Sequence, residues 1–213
     1  MKSKQRVRDI GEVFTKAEEV NAMLDIVGDI ISNPKKRILE PAAGNGNFLV
    51  VILERRMKYI SDQKYKKRFD YERNVLTALA NIYGIDIMDD NIEECRNRLL
   101  AEIRNYYSLA RNTENPSIYF ELSAREILST NIILGDSLNG KGKINFIEYK
   151  ISHRGIIERR QFNLQELENG NNEPVKVFEP SDIRQLTPVS LEEVFYYNGD
   201  QMPIFAALEE IAE

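Results

Sequence analysis

The stretch that decides the fold is "RILEPAAGNGNFLVVIL", residues 37–53. An apolar segment ends in Glu40, a turn follows with Gly44 and Gly46, and a second apolar segment begins directly after it. This order is typical of a buried strand that turns tightly into a helix. The glycines would let another group approach the turn closely. A ligand is one such group, and a tight turn with no ligand fits the same pattern.

Two further apolar stretches also end in an acid. "NIYGIDI" (81–87) carries Asp86, and "NIILGD" (131–136) ends in Asp136. Helical spacing of apolar residues predicts helices before and between these strands, over residues 17–31, 47–57, 70–80, 89–107 and 119–129. Strands that alternate with helices predict an α/β fold, an open parallel sheet with helices on both faces.

The remainder of the chain has a different character. Residues 143–167 alternate apolar and polar side chains around "SHRG" and predict a β-hairpin. The residues after it are acidic, with weak strand and helix signals. We therefore expect a main domain over residues 1–142, and a hairpin with an acidic C-terminal extension over residues 143–213 that packs on the same domain.

Composition excludes several classes of protein. The 213 residues are 42% hydrophobic and 30% charged, which is a globular and not a disordered composition. No apolar run approaches the roughly 18 residues of a membrane helix, and the first residues show no secretory signal. The single cysteine, Cys95, excludes an internal disulfide, and the single histidine, His153, argues against a histidine-based metal site. We expect a cytoplasmic protein with no metal and no membrane association.

The acids at the strand ends suggest a nucleoside site. The carboxyl ends of parallel strands meet at one edge of the sheet, where the glycine turn also lies. Asp86 could accept hydrogen bonds from the two hydroxyls of a ribose. Asp136 could accept from an adenine amino group, with Leu138 against the ring. The pattern also fits a helix-capping Asp86 and a turn aspartate at position 136. Taken together, the three positions describe an adenosine with a charged tail near the glycines.

Four segments resemble the S-adenosylmethionine-binding motifs of adenine-specific DNA methyltransferases of restriction–modification systems. They stand in the order of the group that begins with a Phe-Thr motif. The resemblance covers about residues 10–165 and implies a partial Rossmann-like methyltransferase fold with a small β-hairpin appendage. The segments are "GEVFT" (11–15), "ILEPAAGNGNFL" (38–49), "YGIDI" (83–87) and "NIILGDSL" (131–138).

The resemblance implies S-adenosylmethionine as the cofactor. In that family the Phe-Thr pair and the glycine turn lie by the methionine part, and the two acids meet the ribose and the adenine. Two positions depart mildly from the family pattern: Lys16 stands where a proline is more usual, and Glu40 where an aspartate is common. The implied cofactor-binding residues are Phe14, Thr15, Glu40, Pro41, Ala42, Gly44, Gly46, Asn47, Phe48, Asp86, Ile87, Asp136 and Leu138.

The family's catalytic motif is missing. That motif, Asn/Asp-Pro-Pro-Tyr/Phe, holds the target amino group and stacks on a flipped base, and this sequence has no Pro-Pro pair. We therefore assign no catalytic residue. We expect the cofactor-binding part of a DNA methyltransferase, truncated or completed by a second protein chain. That chain would be another copy or a catalytic or specificity subunit, through which DNA would be bound. The alternatives are a catalytically inactive methyltransferase-like binding or regulatory protein, and a complete methyltransferase for a small or protein substrate.

Overall fold

The computed structural model describes residues 15–111 and 115–183. Short 3₁₀ turns occur at Gly28–Ile30 and Lys141–Lys143. The α-helices are α1 (Ala17–Val27), α2 (Asn47–Asp62), α3 (Arg68–Ala80), α4 (Asp89–Arg111), α5 (Ile118–Asn131) and α6 (Leu164–Glu168).

The strands form two separate sheets. The first is parallel, has the order β1–β2–β3, and consists of β1 (Ile38–Glu40), β2 (Ile82–Asp86) and β3 (Ile132–Leu134). The second is antiparallel, and residues 156–163 form its central strand, which pairs with the other three. It consists of β4 (Asn145–Ile151), β5 (Ile156–Asn163), β6 (Lys176–Val177) and β7 (Ser181–Asp182).

The mixed α/β fold with a parallel sheet among helices is confirmed, as are the three predicted strands and the hairpin. The helix boundaries differ at several ends, by four residues or more at the ends of α1, α2 and α4. The first helix ends at Val27, before its predicted end, because Gly28 at its C-cap takes a positive φ of 71°. The helix after the glycine turn continues to Asp62, and α3 follows closely, so these two helices fill most of the long connection between β1 and β2.

The two faces of β2 have different neighbours. Gly84 faces α2 so closely that an added Cβ would lie 2.8 Å from the Cδ1 atom of Leu49. On the opposite face, the rings of Tyr83 and Phe146 meet edge to face with centroids 5.2 Å apart. The prediction of helices on both faces therefore needs correction: the hairpin covers part of the second face, because Tyr83 and Ile85 need an apolar partner there. This smaller cluster comprises Tyr83, Ile85, Ile144, Phe146 and Leu164.

The hairpin is part of the main core. Ile147, Tyr149 and Ile157 belong to the same buried cluster as residues of the helices. Two hydrogen bonds join β4 to the end of α5: the Tyr149 and Thr130 hydroxyls are 2.8 Å apart, and the Ile147 amide donates to the side-chain oxygen of Asn131 at 3.2 Å. The main domain and the hairpin thus share one hydrophobic interior across residue 142.

A buried arginine holds the approach to β1. The Arg56 side chain lies fully inside the protein and donates to the carbonyl oxygens of Ile31 (3.2 Å), Lys36 (2.5 Å) and Ala78 (2.7 Å). Loss of hydration on burial lowers the pKa of Arg56 to about 10. Its guanidinium fixes the segments that lead into β1 and the end of α3.

None of the helices within residues 15–111 and 115–183 combines the length and the apolar character that crossing a membrane requires.

Candidate functional site

Backbone hydrogen bonds bring the three strand ends together. The Ala43 amide donates to the Ile85 carbonyl (2.8 Å), so the glycine turn lies against the end of β2. The Gly135 amide donates to the Asp86 carbonyl (2.9 Å) from the other side. The segment before Asp136 is thereby placed at the same edge. The predicted convergence of the turn, Asp86 and the end of β3 is observed.

The Asp86 carboxylate is the centre of this edge. Its Oδ2 atom accepts from the Gly44 amide at 2.9 Å. Its Oδ1 atom accepts from the Met88 amide at 2.9 Å and from the side-chain amide of Asn91 at 3.1 Å. An ionised carboxylate offers about four acceptor positions, so three donors leave room for one more. None of these donors is a backbone amide of α4, which begins at Asp89, so the helix-capping interpretation of Asp86 is not observed. The carboxylate closes the turn before α4 and ties the glycine turn to β2.

The glycine turn has its own structural requirements. Gly44 and Gly46 have positive φ values of 54° and 90°, in the region where residues with a Cβ are strained. A Cβ at Gly46 would also lie 2.6 Å from the Sγ atom of Cys95, which is buried beneath the turn. Gly46 is therefore required by the protein's own packing, and the sequence-based interpretation that this glycine leaves room for a ligand needs this correction.

The start of α2 adds hydrogen-bond donors to the edge. The first turn of any α-helix has backbone amides without an acceptor inside the helix, and here these include the amides of Asn47 and Phe48. They adjoin Gly46 and carry the positive end of the helix dipole. A ligand with a carboxylate would find suitable partners at this point.

Asp136 satisfies most of its own hydrogen-bonding capacity. Its Oδ1 atom accepts from the amides of Leu138 (2.9 Å) and Asn139 (3.0 Å), and its Oδ2 atom accepts from the Asn139 side chain (3.1 Å). The bonds from the backbone and side chain of Asn139 and from the Leu138 amide lower the pKa of Asp136. This geometry matches the turn-aspartate interpretation, and it favours the ionised carboxylate of a residue that is only partly exposed.

Apolar side chains rim the edge. Ile87 follows β2 with 53% of its surface exposed, and Leu138 follows β3 with 81% exposed. Pro41 and Ala42, after β1, are exposed as well. The Ala42 amide donates to the Glu40 side chain at 3.2 Å, which orders this end of the turn. Exposed apolar side chains next to polar acceptors are typical of a surface that receives a flat, partly apolar ligand.

Helix α4 supplies two residues that the sequence-based interpretation missed. Glu94 accepts from the side-chain amide of Asn45 at 2.8 Å. Arg98 donates from one nitrogen to the Asn45 carbonyl and to the side-chain oxygen of Asn47, both at 2.8 Å. We call Glu94 and Arg98 the α4 clamp. In the sequence, the signal that could have indicated these two residues is their i, i+4 spacing, which places them on one polar face of the helix.

Thr15 lies beside the turn, since its carbonyl accepts from the side-chain amide of Asn47 at 3.1 Å. Its neighbour Phe14, predicted to lie by the methionine part of the cofactor, falls outside the described residues. The side-chain oxygen of Asn45 is buried and accepts no hydrogen bond within the part of the chain that the structure describes.

The edge is suited to binding. It offers an ordered acceptor at Asp86, amide donors at the start of α2 and an apolar rim.

Cys95 is not a nucleophile here, because burial raises the pKa of its thiol to about 12. Within residues 15–111 and 115–183, no group of three or more histidine, cysteine or acidic side chains is placed to hold a metal ion.

Comparison of the chain with protein-family models, with curated proteins and with solved structures gave no match.

Proposed function

We propose that this chain binds S-adenosylmethionine at the carboxyl edge of the β1–β2–β3 sheet. In this proposal it is the cofactor-binding part of an adenine-specific DNA methyltransferase that a second chain completes. The observation that carries the proposal is the convergence on Asp86: the Gly44 amide bonds its carboxylate and the Gly135 amide bonds its carbonyl. One residue thereby brings together three of the four motif segments that the resemblance assigns to the cofactor.

The residues at the edge fit the parts of that cofactor. Asp86 has one acceptor position left for a ribose hydroxyl, and a second hydroxyl would compete with the Gly44 amide. The partly exposed Asp136 offers an acceptor for the adenine, and the exposed Leu138 offers an apolar surface. The amides of Asn47 and Phe48 suit the carboxylate of the methionine part.

The chain's own residues bind and orient, and the remaining chemistry comes from elsewhere. S-adenosylmethionine supplies an activated methyl group on its sulfonium when bound. An exocyclic amine of a base is a weak nucleophile and must be oriented toward that methyl. The sequence offers no Asn/Asp-Pro-Pro-Tyr/Phe segment for this task. A partner chain that carries such a segment would therefore provide both the orientation of the amine and the contacts to DNA.

A specific observation favours the second candidate, an inactive methyltransferase-like binding or regulatory protein. Asp86 and Asp136 each accept three hydrogen bonds from within the chain. Both carboxylates therefore stabilise the folded chain even when no ligand is bound. In this alternative the fold is retained as a scaffold for interaction, and the edge has no measurable affinity for the cofactor.

Titration calorimetry with S-adenosylmethionine decides between the two. We expect micromolar binding by the wild-type chain. In Asp86→Asn the shape of the side chain is kept and its charge is lost, so we expect affinity to fall about tenfold or more, since hydrogen bonds to a charged group contribute about 1.5–3 kcal/mol. Glu158→Gln is the matched control, because this exposed acid lies on the hairpin and its ion pair within the described ranges is with nearby Arg160 at 3.7 Å.

Thermal unfolding of each variant separates loss of affinity from loss of fold. A folded wild-type chain that gives no heat of binding with S-adenosylmethionine would remove the methyltransferase proposal and leave the regulatory one. Equal loss of affinity in Asp86→Asn and in Glu158→Gln would mean that the heat does not come from this edge.

A further inference from the structure

The parallel sheet ends in an open edge at β1. Among the residues that the structure describes, only β2 pairs with this strand. The Ile38 amide donates toward β2, to the Asn81 carbonyl at 3.0 Å. Backbone groups of successive strand residues point to opposite sides, so the N–H and C=O of Leu39 point away from β2. They are available to a further strand.

An apolar groove runs beside this open edge. Its volume is about 190 Å³, and the Leu39 side chain in its wall is 41% exposed. An apolar cavity of roughly 150 Å³ is large enough for benzene, so the groove has room for one large apolar side chain. It is lined by Leu39, Tyr83, Phe146, Phe162, Leu164 and Leu167, among others.

The charges along the edge are asymmetric. Lys35, Lys36 and Arg37 precede β1 and are exposed, while Glu40 ends it. Arg37 also forms an ion pair with Glu148 of the hairpin, which closes one side of the groove. A segment that lies along β1 is therefore favoured if it carries acidic residues next to the lysines.

We propose that the open edge of β1 is the docking site for an extended segment of the partner chain, added as a fourth parallel strand. The segment has acidic residues before it, facing Lys35 to Arg37, and one large apolar side chain that enters the groove. Strand addition of this kind gives affinity through backbone hydrogen bonds and specificity through a side-chain pocket.

The parallel direction rests on the proposed function. The carboxyl end of a parallel strand lies at the same edge of the sheet as the glycine turn and Asp86. The residues that follow the docked strand would therefore arrive beside the cofactor site. An antiparallel strand would deliver them to the opposite edge, near the end of α3.

The test uses the full chain and a fluorescein-labelled peptide, Asp-Asp-Ile-Phe-Ile-Thr, whose sequence does not occur in the chain itself, followed by fluorescence anisotropy. We expect a Kd below about 1 mM. Leu39→Asp, which places a charge in the groove, is expected to weaken binding at least about tenfold, as is replacement of the peptide's phenylalanine by aspartate. Leu134→Asp is the matched control, because Leu134 is an exposed leucine at the other edge of the same sheet.

Hydrogen exchange and calorimetry distinguish failure of the docking site from failure of the cofactor site. Exchange at the Leu39 amide should be fast in the chain alone and slow at least about tenfold with the peptide. Absence of peptide binding in a chain that still binds S-adenosylmethionine overturns the docking site alone, and peptide binding without cofactor binding overturns only the proposed function. A slow Leu39 amide in a chain that light scattering shows to be monomeric means that the chain's own residues outside 15–111 and 115–183 cover the edge. A dimer that Leu39→Asp dissociates means that a second copy does. Both of these results overturn the proposal.

Discussion

At the scale of single residues, Gly46 is the position where local strain and packing coincide. Its φ of 90° disfavours any side chain, and a Cβ would meet Cys95 at 2.6 Å. We predict that Gly46→Ala lowers the free energy of unfolding by about 2–4 kcal/mol, since left-handed backbone and overpacking each cost roughly 1–2 kcal/mol or more. Urea denaturation measures the change.

Gly170→Ala is the control for this variant. Gly170 also has a positive φ, 84°, but a Cβ there would have no atom within 4 Å. Its cost should be that of the backbone alone, roughly 1–2 kcal/mol. Equal destabilisation by the two variants would mean that the contact with Cys95 contributes nothing.

The buried thiol of Cys95 predicts a dependence of stability on pH. Burial raises the pKa of this thiol to about 12 in the folded chain, from the value near 9 that is usual for cysteine and that we take for the unfolded chain. Between these values the unfolded chain has lost a proton that the folded chain keeps, so stability falls as pH rises above about 9, by up to about 1.4 kcal/mol per pH unit. Urea denaturation at pH 8, 9 and 10 should show this fall, and Cys95→Ala should reduce it. A smaller fall should remain near pH 10, because burial also raises the pKa of tyrosines such as Tyr83 and Tyr149. A wild-type stability that stays constant to pH 10 would contradict the buried, protonated thiol.

At the scale of elements, helix α4 holds the glycine turn through the α4 clamp. Arg98→Ala removes the two hydrogen bonds to Asn45 and Asn47. We expect this variant to bind S-adenosylmethionine about five- to tenfold more weakly, because a looser turn must be ordered on binding. Calorimetry measures the affinity.

Arg104→Ala is the matched variant on the same helix. Arg104 is half-exposed and pairs with Glu121 of α5 at 2.9 Å, away from the glycine turn. Its cofactor affinity should equal that of the wild type, and an exposed pair contributes only about 0–1 kcal/mol to stability. Similar affinity losses in the two variants would show that the helix as a whole, and not its contact with the turn, matters.

At the scale of the whole molecule, the hairpin and the helices form one interior. Phe146 is 6% exposed and packs on Tyr83 of the central strand. We predict that Phe146→Ala lowers the free energy of unfolding by about 3–5 kcal/mol, with coincident transitions by circular dichroism and tyrosine fluorescence. The control Val177→Ala, at a residue 64% exposed on β6, should change stability by less than about 0.5 kcal/mol. An early, separate transition of the hairpin would contradict a shared core.

The features that the sequence predicts well are those encoded over short distances. Strands β1 to β3 and the helices between them follow from apolar periodicity, and the meeting of the strand ends follows from parallel topology. The contacts of Glu94 and Arg98 with the turn join residues about fifty positions apart, and periodicity carries no information on such pairs. The packing of Phe146 on Tyr83 is equally long-range. The engagement of Asp86 by three internal donors could be found only from the structure.

The double attachment of Asp86 has a consequence for how this chain changes over evolutionary time. An aspartate that fastens the glycine turn to the central strand is under selection for folding, whatever the edge binds. Leu138, by contrast, is largely exposed at the same edge, and under the proposed function its apolar side chain serves the adenine. In lineages that lose the cofactor, position 138 should therefore drift to polar residues while Asp86 persists, and the divergence of these two positions would record the loss.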